Sequence, residues 1–96
     1  MTDVHDNTAE SRFELVERGQ VAIAAYERRG DVLAFVHTVV PPPLEGHGVG
    51  SRLIAGALQQ VRAAGARVVA ECSFVRAYMA RHPETQDLLA QPLDGE

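Results

Sequence analysis

The chain has 96 residues, 46% of them hydrophobic, and a net charge of −4 with histidine neutral. That describes one small globular domain, too apolar for disorder. The acidic balance argues against a general nucleic-acid or anionic-membrane binder, which carries a basic excess. No apolar run approaches the ~20 residues of a membrane helix, and the single cysteine, Cys72, excludes an internal disulfide framework. No signal peptide opens the chain, so a cytoplasmic protein is expected. A core this thin makes a monomer or a weak homodimer the expected state.

Residues 1–11 are polar and aperiodic and read as a mobile leader. Arg12–Arg18 alternates, with Phe13 and Leu15 on one face, which is a strand pattern. Gly19-Gln20 is a turn signal. Val21–Glu27 is a second strand, with Ala22, Ala24 and Tyr26 opposite Val21, Ile23 and Ala25. Gly30 marks a second hairpin turn. A third strand, Val32–Val40, is apolar on both faces apart from His37 and Thr38, as in a strand covered on both sides. Simple alternation puts Leu33, Phe35, His37 and Val39 on one of its faces. Pro41-Pro42-Pro43 ends its pairing, because proline offers no N–H.

The stretch Glu45-Gly46-His47-Gly48-Val49-Gly50-Ser51-Arg52 then leads into a helix from about Val49 to Ala64. Leu53, Ile54, Ala57, Leu58 and Val61 form its apolar stripe, and Gly65 is a good stop. A short strand at Arg67–Glu71 reaches Cys72. A strand–helix–strand unit predicts a right-handed crossover and a parallel pair. A second helix, about Ser73 to Arg81, has Ser73 as a plausible N-cap and Val75, Tyr78, Met79 and His82 as its stripe. A further turn restarts near Glu84–Leu89. The fold class is α/β (α+β): a mixed four-stranded sheet, three strands antiparallel and one parallel, with both helices packed on it. The domain spans residues 12–89, and 90–96 reads as a disordered tail.

Strand, glycine turn and helix is a geometry that binds phosphate. The first N–H groups of a helix have no intrahelical partner, and the macrodipole adds partial positive charge there. No lysine follows the glycines, so the P-loop fails. Ser51 stands where a dinucleotide GxGxxG would need glycine. Gly48-x-Gly50 instead resembles the acetyl-CoA loop of the GNAT superfamily of N-acetyltransferases, whose motif reads Gln/Arg-x-x-Gly-x-Gly/Ala. Here the first position is an acid, Glu45.

Three further pieces are similar to a small single-domain branch of that superfamily: His37-Thr38-Val39-Val40, Ala70-Glu71-Cys72-Ser73-Phe74 and His82-Pro83-Glu84-Thr85. With the glycine loop they run in order from about Ser11 to Leu89. Val39 stands where the branch has an acid, His47 for a glutamine or lysine, Ala70 for a proline and Thr85 for a tyrosine.

The resemblance implies a sheet that splays between two parallel strands, with the pantetheine arm of acetyl-CoA in the gap. Thr38, Val39 and Val40 would bond the pantetheine. His47, Gly48, Val49, Gly50, Ser51 and Arg52 would hold the pyrophosphate, and Glu45 and Gly46 belong to the same cofactor-binding loop, Glu45 as its first position. The implied activity is acetyl transfer to an amine whose identity, small molecule or protein, is open.

His37 is the candidate base, because histidine titrates near neutrality. Cys72, between a strand and a helix N-terminus, either accepts acetyl covalently with His37's help or lines the thioester pocket. Tyr78 is a candidate acid or a core residue. No metal is expected, since His37, Cys72 and His82 lack ligand spacing. Two other classes fit the same residues: a CoA-binding module without catalysis, and a structural or partner-binding domain whose glycines only make a turn.

Overall fold

Alternation of apolar residues sets the sheet. In β2 (Arg12–Glu17) Phe13 and Leu15 are buried, and in β3 (Gln20–Arg29) Ala22, Ala24 and Tyr26 are buried. The computed structural model describes residues 3–93. In it β2 pairs antiparallel with β3, and β3 with β4 (Val32–Val39). β4 pairs in parallel with β5 (Arg67–Ala70), across the crossover helix α1 (Val49–Ala63). The short helix α2 (Ser73–Arg81) and a 3-10 turn at Pro83–Leu88 complete the domain.

The sheet has five strands rather than four. β1 (His5–Asn7) lies within the stretch expected to be a mobile leader and pairs antiparallel with β2. Its anchors are the Val4 side chain, buried in the core just before the strand, and polar bonds: the Tyr26 hydroxyl donates to Asp6 at 2.7 Å, and the Gln60 amide donates to the Val4 carbonyl at 2.6 Å. An edge strand held by backbone pairing, side-chain bonds and one buried valine leaves no apolar periodicity to read. At the other end, Ala90 N–H donates to the Val68 carbonyl at 2.8 Å and Leu93 packs against the core, so order continues into the expected disordered tail. Residues 1–2 of the leader and 94–96 of the tail lie outside the described residues.

Both helices cover one face. Leu53, Ile54, Ala57, Leu58 and Val61 of α1 share one buried cluster with Val75, Tyr78 and Met79 of α2 and with Phe13, Leu15, Phe35 and Val68 of the sheet. Burying these side chains is the main stabilising term. Arg62 ties the outside of α1 to Asp87 at 2.7 Å. The α2 N-cap is Cys72, not Ser73, and no side chain caps it.

The alternation expected in the third strand breaks once. Tyr26 pairs with Phe35 and Ala25 with His37, so Val36 is an extra residue, a β-bulge. Directly opposed residues share a sheet face. Thr38, opposite the buried Ala24, therefore continues the helix-covered face of Leu33 and Phe35, while His37, opposite Ala25, faces the other way. The strand is covered on both sides only in its first half, where Ala34 is fully buried; Val39 is 47% exposed.

Candidate active site

The β4–β5 ladder ends at Phe35 and Ala70. There the Phe35 carbonyl accepts from both Glu71 N–H, at 3.0 Å, and Cys72 N–H, at 2.9 Å. One acceptor shared by two successive donors turns the chain away from β4 and into α2. Residues 37–39 of β4 go on pairing with β3 alone. A gap thus opens between the end of β4 and the start of α2.

A cleft of about 450 Å³ adjoins that gap, lined by Thr38 and Val40, by Leu44–Gly46, by Gly48–Ser51 and by Phe74. A volume of this size suits part of a small-molecule ligand. Pro42–Leu44 forms a 3-10 turn whose Leu44 is buried, which fixes the loop to the core. Gly46 and Gly48 have φ of 84° and 74°, and Gly48 is the left-handed N-cap of α1. That backbone region is costly for residues with a Cβ. The first intrahelical bond runs from Arg52 N–H to the Gly48 carbonyl, 3.1 Å. The N–H groups of Val49, Gly50 and Ser51 precede it and make no bond within the helix.

Gly50 is a glycine for a different reason. A Cβ there would lie 2.6 Å from the Phe74 ring. The α2 aromatic closes over the start of α1 and forms one wall of the cleft, and the third glycine makes room for it. Phe74 and Leu44 are the two lining residues that sequence reasoning left out. The available signal for Phe74 was its place in Cys72-Ser73-Phe74.

Three of the expected cofactor residues do not line the cleft. Arg52 points to Glu17, bonded at 2.8 Å, and this guanidinium holds the Glu17 carboxyl below its usual range. His47 and Val39 are exposed outside the lining. Among the described residues that line the cleft, none is cationic and one, Glu45, is a carboxylate.

Cys72 is 7% exposed, and its sulfur stands 3.4 Å from the Thr38 hydroxyl. His37 is exposed and shares no hydrogen bond with Cys72. The expected Cys72–His37 pair is therefore not formed: the bulge at Val36 turns His37 outward and brings Thr38 to the sulfur. Tyr78 lies apart from the cleft, stacked on His82 with ring centroids 4.1 Å apart, and burial pushes its phenol up. Among the described residues no three histidine, cysteine or acidic side chains gather to hold a metal.

A family model described as GCN5-related N-acetyl-transferase matches residues 12–88. The match spans β2 through the Pro83–Leu88 turn and contains every cleft residue. No curated protein matches the chain. The chain belongs to the GCN5-related N-acetyltransferase family.

Proposed function

We propose that this family member binds acetyl-CoA in the cleft beside β4 and transfers its acetyl group directly to an amine. A general acetyltransferase function follows from the family. The observation that carries the finer reading is the coincidence of cleft and gap. Eight residues assigned to the cofactor on resemblance (Thr38, Val40, Glu45, Gly46, Gly48, Val49, Gly50 and Ser51) line one cavity at the point where β4 and β5 part. The N–H groups at the start of α1 and the Ser51 hydroxyl suit a pyrophosphate. The β4 edge past Phe35 suits an extended, amide-bearing chain. The absence of a cation among the lining residues leaves phosphate binding to backbone donors, the macrodipole and Ser51.

Acetyl-CoA supplies an acyl group already activated as a thioester. The acceptor nitrogen attacks the carbonyl carbon, the C–S bond breaks, and CoA leaves as the thiolate. The nitrogen's proton passes to a base. His37 is the base we assign, because it stands on the sheet face opposite Thr38 and the cleft, where an amine has access to the gap. Cys72 is assigned to the thioester end of the pocket, with Thr38 holding its sulfur. A threonine hydroxyl is no base, so direct transfer fits this arrangement better than an acetyl-cysteine.

Thermal denaturation with acetyl-CoA, CoA and ATP tests the site first. A ligand at about a hundred times its Kd adds about 2.7 kcal/mol, so both CoA forms should raise Tm clearly and ATP should not. No shift with CoA would remove the reading. His37→Gln should lower kcat by about 10²-fold with the CoA shift unchanged. Cys72→Ala should keep turnover; an inactive Cys72→Ala, together with an acetyl-cysteine trapped in the wild type, would restore the covalent route. The chain has no lysine, so no lysine side chain competes as acceptor in these assays. Binding of CoA without transfer to any amine would leave a CoA-binding module.

A further inference from the structure

Coenzyme A carries a pyrophosphate in line with its pantetheine arm and a separate 3′-phosphate on its ribose. The two make different demands. Backbone N–H groups at a helix start suit a pyrophosphate. A terminal phosphomonoester carries about −1.5 to −2 charge at pH 7 and is met by arginine or lysine. The chain's nine Lys and Arg positions are all arginine, and all lie among the described residues. None lines the cleft. Arg52 follows the glycine loop directly but bonds Glu17 at 2.8 Å. Arg18 and the exposed His47 stand near the same carboxylate, which is held below its usual range by Arg52 first and by these two after it. Arg76, two positions past Phe74 on α2, donates to the Glu71 carbonyl at 2.8 Å and to the Ala70 carbonyl at 3.3 Å. The basic groups nearest the cleft in sequence are occupied outside it.

We propose that the cleft reads the pantetheine arm and pyrophosphate of its donor and gives no recognition to the 3′-phosphate, so that CoA and dephospho-CoA are equivalent ligands. The donor class is then the acyl thioester of a pantetheine pyrophosphate, of which acetyl-CoA is one member. The proposal rests on the acetyl-CoA reading of this cleft and specifies which part of the cofactor it takes. Size and charge both support it. A volume of about 450 Å³ lies in the lower half of the range for ligand sites, ~300–1,000 Å³, which suits the arm and pyrophosphate without the phosphorylated nucleoside. The one charged lining residue, Glu45, repels a further dianion instead of attracting it.

Titration calorimetry with CoA, dephospho-CoA and pantetheine tests this without an acceptor. Dephospho-CoA should bind with a Kd within about twofold of that of CoA. Pantetheine, which has no phosphate, should bind about tenfold or more weakly. Dephospho-CoA weaker than CoA by about tenfold or more, the loss expected when a charge-assisted bond is removed, overturns the proposal. Pantetheine as tight as CoA also overturns it, because no phosphate would then be read.

Arg52→Gln gives the second arm, with ligand-free melts confirming the fold. Its Kd values for CoA and dephospho-CoA should change by the same factor. A loss confined to CoA would make Arg52 the partner of the 3′-phosphate, released from Glu17 on binding, and would overturn the proposal. The two readings fail separately. Preference for CoA over dephospho-CoA removes this proposal and leaves the acetyl-CoA site standing, whereas no binding by either form removes both.

Discussion

Residues 32–35 of β4 are paired on both sides, with β3 and with β5, whereas residues 37–39 are paired with β3 alone. In the first half Leu33, Ala34 and Phe35 are at most 2% exposed. In the second, Thr38 lines the cleft and His37 and Val39 are exposed. One extra residue, Val36, separates a stretch that serves the core from a stretch that borders the cleft. The lesson is that the candidate site is made by withdrawing structure. Pairing with β5 stops, and the backbone and side chains that pairing would have used become available to a ligand.

Truncation at the boundary should produce the largest effect. Phe35→Ala removes a ring stacked on Phe13, centroids 5.9 Å apart, and set edge-on to Tyr26, 6.3 Å away. A loss of about 3–5 kcal/mol is expected, a large share of the stability of a small domain, measured as a fall in the urea midpoint. Thr38→Val, three residues on, should cost no more than about 1 kcal/mol, since it removes one weak partner of the Cys72 sulfur. Its effect should appear instead in catalysis, with Thr38→Ser retaining what Thr38→Val loses. Equal destabilisation by the two truncations would erase the distinction between the halves.

A smaller effect tests the covered half from its far side. Tyr26, opposite Phe35, holds β1 through Asp6, and burial followed by the Asp6 hydrogen bond pushes its phenol up to about 12. A folded-state value raised above the ordinary 10 means stability that is fully present below pH 10 and is lost as pH rises through about 12. Thermal melts from pH 9 to 12 should show a Tm decline that Tyr26→Phe reduces. Hydrogen exchange at residues 5–7 should be faster in Tyr26→Phe at neutral pH. Unchanged exchange there would mean that backbone pairing alone holds the edge strand.

Much of this fold was legible because periodicity carries it. The α1 stripe from Leu53 to Val61 and the alternation in β2 and β3 follow from apolar spacing, and the parallel pairing of β4 with β5 follows from the strand–helix–strand order. The glycine loop was legible through local backbone demands, as the positive φ at Gly46 and Gly48 attests. Two things were hidden. β1 is held by the backbone, Tyr26, Gln60 and the single buried Val4, and one apolar residue among polar anchors leaves no periodic pattern in a sequence. The bulge at Val36 inserts one residue into a run of uniformly apolar character, where a slip of register changes nothing in the pattern and reverses the face of every residue after it. That slip exchanges His37 for Thr38 as the neighbour of Cys72. Arg52 was hidden for a third reason: its choice between a phosphate and Glu17 is a tertiary contact across 35 positions.

Glu45 gives the smallest and most discriminating prediction. Its carboxylate lines the cleft proposed for a pyrophosphate, and no cationic side chain among the lining residues offsets it. Like charges a few ångström apart in an exposed cleft repel by only a fraction of the interaction they would have when buried, and salt screens what remains. Glu45→Gln should therefore tighten CoA binding by roughly two- to fivefold at low ionic strength. Raising the salt above ~0.5 M, where screening lengths fall to a few ångström, should bring the two proteins together. Titration of both proteins with CoA at the two salt concentrations makes the comparison, with the Tm of each confirming an unchanged fold. Weaker binding by Glu45→Gln would mean that the carboxylate accepts a hydrogen bond from the ligand, and the cleft would then hold a part of it other than phosphate. That outcome would move the proposed pyrophosphate site away from Gly46–Ser51 while leaving the open half of β4 as the place proposed for the acyl arm.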